Sequence, residues 1–120
     1  MAFQWGDYLQ IAQFLQAQGA MNCSREAAER SAVSRAYYAA YCHARNYARD
    51  RHGFAVSTRP EDHKRLREHF QNHGQPAIAS ALSDLRRWRN DCDYADAVPS
   101  LSKLVTQSLT RAQQVLSALP

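Results

Sequence analysis

The chain has 120 residues, 45% of them hydrophobic, and carries 15 basic and 11 acidic side chains for a net charge of +4. This length holds one domain around one core and is short for two, and the apolar content excludes a wholly disordered chain. The mild basic excess admits an anionic partner such as RNA or a nucleotide without demanding one, because a solvated surface is often basic for no reason of recognition.

In chain order the pattern predicts five helices and no strand. The first runs from about Trp5 to Gln18, where Trp5, Tyr8, Ile11, Ala12 and Leu15 recur at helical spacing and Gly19 is the stop. The second runs from about Arg25 to Arg51, alanine-rich, with Ser24 as N-cap and Gly53 as its end. A loop from Phe54 to Arg59 follows. Thr58 lies three residues before Glu61, the spacing of a capping box, and Pro60 sits where a missing N–H does little harm. The third helix covers roughly Glu61 to His73 and stops at Gly74; the fourth runs from Pro76 to about Tyr94. Pro99 and Ser100 mark the next boundary. The fifth helix, Leu101 to Leu119, carries one apolar face of Leu101, Leu104, Val105, Leu109, Ala112, Val115, Leu116 and Leu119. Helices of this length joined by short loops point to an all-α, up-and-down bundle formed by residues 1–120 as a single domain.

Three cysteines, Cys23, Cys42 and Cys92, are an odd number without paired spacing, which argues against a disulfide framework. The N-terminus, Met-Ala-Phe-Gln-Trp-Gly-Asp, has no basic region followed by an apolar run, and no apolar stretch reaches transmembrane length. These features point to a reducing cytoplasm and to no membrane partner.

The informative feature is a pair of misplaced arginines. On the fourth helix Ile78, Leu82, Leu85 and Cys92 follow one stripe with steps of four and three, and its missing member is Arg89. On the second, Ala28, Ala32, Ala39 and Cys42 make a small-residue stripe whose middle member is Arg35. A buried guanidinium needs acidic or polar partners, or a wet cleft. Asp93 lies four residues after Arg89 on its face, with Asp91 and Asp96 as further candidates; Ser31 and Tyr38 flank Arg35. One reading is a pair of internal ion pairs that set helix register. The other is a polar cleft between the second and fourth helices that holds a phosphate or nucleotide, for which the planar fork of arginine is suited. Arg86 and Arg87 are expected on other faces of the helix than Arg89, widening a basic surface near the cleft mouth.

At these residues the chain resembles the HEPN domain family. The carrying segments are Ser34-Arg35-Ala36-Tyr37-Tyr38-Ala39-Ala40-Tyr41 and Arg89-Asn90-Asp91-Cys92-Asp93-Tyr94, with His63 and Phe70 fitting the subgroup that has Tyr-Tyr-Ala on its second helix. The resemblance implies a helical bundle that forms a homodimer, with Arg89, Asn90 and Tyr94 at the catalytic positions and Arg35, Tyr38, Arg86 and Asp93 as binding residues. It further implies RNA or a nucleotide as ligand, no cofactor, no metal, and a toxin–antitoxin or phage-defence setting with a nucleotidyltransferase antitoxin as partner. Many members are similar to metal-independent ribonucleases in which an Arg is followed closely by a His. Here Tyr94 stands where that His would fall, and no histidine follows His73. A phenol is a poor general base at neutral pH. Three functions therefore stand side by side: a binding or regulatory module, a ribonuclease using Arg89 with Tyr94 or His63 as a non-standard base, and a purely structural dimerisation module.

Two other clusters compete. His69 and His73, four apart, share a helix face that could meet a metal, but no cysteine or carboxylate completes a set; a solvated polar face is the plainer reading. Tyr37, Tyr38, Tyr41 and Tyr47 could stack on bases, or pack in the core and at an interface. There is no Gly-rich phosphate loop, Ser-His-Asp order or Cys-His pair.

Overall fold

In a computed structural model, which describes residues 3–18 and 23–120, five helices form an all-α bundle: α1 Gly6–Gln18, α2 Arg25–His52, α3 Asp62–Asn72, α4 Pro76–Tyr94 and α5 Leu101–Ala118. The stop expected at Gly19 lies outside the described residues.

The long α2 is the central column, packed against α1, α5 and α4. Its composition explains this. Ala28, Ala32, Ala36, Ala39, Ala40, Ala44 and Ala48 are all buried, so neighbours approach its backbone from several sides. The larger side chains come from the surrounding helices: Leu9 of α1, Leu66 and Phe70 of α3, Leu82 and Leu85 of α4, Val105 and Val115 of α5. Each large one contributes about 1.5–3 kcal/mol by leaving water. The Ser24 side chain accepts the Ala27 N–H, and Gly53 ends α2 in the left-handed conformation at φ 69°, so both ends fall where their residues dictate.

Side-chain contacts fix the helix directions. Tyr8 meets Arg35 and Trp5 meets Arg45, so α1 and α2 are antiparallel. Arg30 reaches Ala95, and Tyr38 meets Arg89, so α2 and α4 are antiparallel as well. Gln16 bonds Thr106 across α1 and α5, and Arg111 bonds Asp84 across α5 and α4 at 2.6 Å. The short α3 behaves differently. Its start puts His63 on Tyr41 and its end puts His69 and His73 on His52, so it runs beside α2 in the same sense. Residues 53–61 are the return loop that makes this possible.

That loop corrects one expectation. Thr58 and Glu61 form no capping box, and Glu61 caps α3 without a side-chain bond. Ser57 and Asp62 pair instead. The Ser57 backbone N–H and hydroxyl each donate to the Asp62 carboxylate at 2.7 Å, and Arg65 donates to it at 2.6 Å. A buried carboxylate with three donors outcompetes an exposed threonine–glutamate exchange. No helix among the described residues is long and apolar enough to cross a membrane.

Candidate functional site

Arg89 does not vanish into the core. Its side chain is 19% exposed, at the edge of the α2–α4 contact. Its guanidinium carbon lies 5.2 Å from the Tyr38 ring centre and 5.8 Å from that of Tyr94, while Nη1 donates to Asn90 Oδ1 at 3.0 Å. Nε comes within 2.9 Å of Asp93 Oδ2, but off the line of its N–H, so the pair is ionic rather than hydrogen-bonded. Tyr38 has a second guanidinium against it: Arg35 is 5.4 Å from its ring centre and 4.8 Å from that of Tyr8 on α1. Arg35, Tyr38, Arg89, Asn90, Asp93 and Tyr94 thus form one continuous constellation in which two arginines share one aromatic ring. Tyr94 is its outermost member, 76% exposed.

The idea that these arginines set helix register finds little in the geometry. The carboxylate beside Arg89 is on its own helix, and among the described residues Arg35 has no carboxylate partner. The only bond from Asp93 across to α2 is a 3.5 Å one from the Ser34 hydroxyl. Register is held by Arg30. Its Nη1 donates to the carbonyls of Cys92 at 3.0 Å and Ala95 at 2.6 Å, and Nη2 donates to that of Asp96 at 3.0 Å. This caps the end of α4, where carbonyls lack helical partners. Sequence reasoning missed Arg30 because its partners are backbone atoms, which leave no trace in residue type. It missed Ser34 although that residue opens the motif on α2.

His63, at the start of α3, lies near enough to Arg89 to feel its charge. Its ring stacks on Tyr41, with centres 4.1 Å apart and planes 11° apart, and its Nδ1 is hydrogen-bonded to the Tyr37 hydroxyl. Burial and the charges of Arg86, Arg89 and Arg67 push the imidazole down to about 4, against a weaker opposing pull from Asp62. Arg86 and Arg89, three residues apart on α4, both act on His63 through their charge. Arg86 also lines an open groove of about 340 Å³ with Arg67, Ser83, Arg87, Asn90 and Asp91. Asn90 joins the groove to the Arg89 constellation. Of the acidic residues considered for Arg89, Asp91 faces this groove, and Asp96 offers only its carbonyl to Arg30.

The remaining clusters carry less chemistry. Tyr37 and Tyr41 are core, while Tyr38 and Tyr47 are half-buried. His52, His69 and His73 form a stacked group, with His52 Nδ1 2.8 Å from His69 Nε2. Among the described residues no group of three or more His, Cys, Asp or Glu side chains is disposed to hold a metal ion. Burial raises the Cys42 thiol and pushes that of Cys92 up to about 11, so neither offers a thiolate. A larger cavity of about 540 Å³ lies between α1 and α5, but its one imidazole, His43, already donates to the Leu119 carbonyl at 2.6 Å. Compared with family models, curated proteins and solved structures, the chain matches none.

Proposed function

We propose that this chain is a HEPN-like module that binds RNA or a nucleotide through the Arg89 constellation, as a homodimer serving a toxin–antitoxin or phage-defence system with a nucleotidyltransferase partner. The observation that carries the reading is the setting of Arg89. It is a half-buried guanidinium within reach of two tyrosine rings, one of them largely exposed, with its ion-pair partner on the same helix and a groove lined by Arg67, Arg86, Arg87 and Asp91 beside it. Arginine, asparagine and an exposed aromatic ring together can clamp a phosphate and stack a base. Ile11 and Phe14, both on α1, are among the exposed large apolar side chains of the described residues and offer a surface for self-association.

Binding is favoured over cleavage by the two groups that could replace the missing histidine. Tyr94 is solvent-exposed and has no base near enough to activate it among its described contacts. His63 is neutral, but its Nδ1 is engaged by Tyr37. Arg89→Ala should weaken binding of adenosine nucleotides or single-stranded RNA by tenfold or more, the usual scale for a lost charge-assisted contact, while circular dichroism stays that of the folded chain. Unchanged affinity in the folded variant would refute the proposal. RNA cleavage that persists in EDTA and disappears in Arg89→Ala would replace it with the ribonuclease reading.

A further inference from the structure

Four observations around His63 converge on a single use. The Tyr37 side chain is 1% exposed, and its hydroxyl has His63 Nδ1 as its one hydrogen-bond partner among the described residues. Burial holds this phenol far above its usual value, so the oxygen keeps its hydrogen and must find an acceptor for it. Nδ1 is that acceptor. The neutral imidazole then carries its own hydrogen on Nε2, and the Tyr41 stack fixes the plane in which that N–H points.

The surroundings of the ring are positive and unbalanced. Tyr37 and Tyr41 of α2 touch it, Arg67 follows it by one turn on α3, and the charges of Asp62 and Arg67 on α3 and of Arg86 and Arg89 on α4 reach it. Asp62, the only acid of the set, is already engaged by Ser57 and Arg65. Arg89 has Asp93, but among the described residues neither Arg67 nor Arg86 has a carboxylate partner, and Arg86 Nε is buried without a hydrogen bond. Both line the open groove with Ser83, Arg87, Asn90 and Asp91; Arg87 is paired with Asp84, and Asp91 is the one carboxylate of the lining. With two guanidiniums against one carboxylate the groove stays net positive, and an anion with several acceptor oxygens can bridge Arg67 and Arg86.

We propose that His63, Arg67 and Arg86 form a phosphate subsite next to the Arg89 constellation, in which the imidazole serves as a neutral Nε2–H donor held in that tautomer by Tyr37. The subsite rests on the binding reading for its ligand, the phosphate group of a nucleotide or of an RNA backbone. It gives His63 the work of a donor rather than of a base. It also makes binding proton-linked. A bound anion opposes the arginine charges that keep the ring neutral, so the imidazole binds protons more tightly in the complex. Binding of an anion of constant charge then strengthens as pH falls from the raised value in the complex towards the free ring's value of about 4.

The test is nitrogen-15 NMR of the histidine rings in the whole chain, titrated with sulfate, whose charge is constant over this range, and with adenosine 5′-monophosphate and adenosine. The free protein should show His63 as the Nε2–H tautomer. Sulfate and the monophosphate should shift its resonances and raise its titration midpoint, and adenosine should not. Arg86→Gln and Arg67→Gln should each weaken the sulfate response by roughly tenfold, as for loss of a charge-assisted bond, whereas the exposed Lys103→Gln should leave it unchanged. A response to the monophosphate but not to sulfate would assign the subsite to nucleotide phosphate rather than the free ion, and would still support it. An Nδ1–H tautomer, a response to adenosine equal to that of the monophosphate, or full sulfate binding in folded Arg86→Gln would overturn it. None of these decides the Arg89 reading, which stands or falls on nucleotide affinity in Arg89→Ala.

Discussion

Arg30 and Arg89 are both arginines on inner helix faces, and their surroundings give them opposite kinds of work. Arg30 makes three bonds to carbonyls at the end of α4, while Arg89 makes one to a neighbouring side chain and an ion pair within its helix. Arg30→Ala should therefore cost about 2–3 kcal/mol in urea unfolding, because it orphans half-buried carbonyls. Arg89→Ala should cost about 1 kcal/mol or less, the scale of a partly exposed pair one turn apart. A larger loss for Arg89 than for Arg30 would return Arg89 to a structural role. His63 supplies a second residue-level prediction. Its folded value, about 4, lies below the ordinary 6.5, so between these pH values the unfolded chain binds more protons than the folded one. Stability should then fall as pH is lowered through that window, with no such contribution above it. The urea midpoint of the wild type should drop more between pH 7.5 and 5 than that of His63→Gln; equal drops would mean that the folded protein accommodates the charged ring.

Among the elements, the loop before α3 and the start of α5 are the places where local sequence and tertiary demands diverge. Asp62 is buried, which alone would raise its carboxyl, but the bonds from Ser57 and the Arg65 charge outweigh this and hold it below the carboxylate range. Its contribution is present above the ordinary carboxylate pKa of about 4 and is lost as pH falls below it. Asp62→Ala should cost about 2 kcal/mol or more at neutral pH and loosen the return of α3 onto α2, visible as faster amide exchange over residues 54–66. Ser100, at φ 54°, enters α5 in the left-handed conformation without a side-chain cap. Ser100→Gly should raise the thermal midpoint by a few degrees, because the Cβ penalty of about 1 kcal/mol disappears and outweighs the added freedom of the unfolded chain. The helix limits were legible from caps and periodicity: Ser24, Gly53, Pro76 and Leu101 all fall at or beside element ends. The Ser57–Asp62 pair was not, since nothing local ranks it above Thr58–Glu61; burial of the carboxylate decides between them.

At the scale of the molecule, Arg67, Arg86, Arg87 and Arg89 put four positive charges on the α3–α4 side. If RNA lies along this face, its affinity should fall steeply with salt, with a log–log slope of roughly −0.7 for each phosphate neutralised. Arg86→Gln should make the slope shallower by about one contact, and a slope near zero would mean that phosphates are not what the protein holds. The proposed homodimer is open to sedimentation. Phe14 is 61% exposed on α1, and if that surface is the interface, Phe14→Glu should shift the wild-type dimer to monomers. A wild type that sediments as a monomer at high concentration removes the dimer from the proposal.

The sequence by itself determined the all-α class, the five helices and the anomaly of Arg35 and Arg89, because helical periodicity and caps are local properties written in residue types. It also supplied the resemblance on which the proposed function partly rests. Only the tertiary structure decided what stands next to what. It turned α3 parallel to α2, brought His63 against Tyr37 and Tyr41 within reach of three arginine charges, gave Arg30 the contacts to α4 that one of the two readings assigned to Arg89, and left Arg67 and Arg86 without an ion pair among the described residues. Those relations join residues far apart in the chain, Tyr37 to His63 across 26 positions and Arg30 to Ala95 across 65, through burial and backbone acceptors, and neither has a period along the chain.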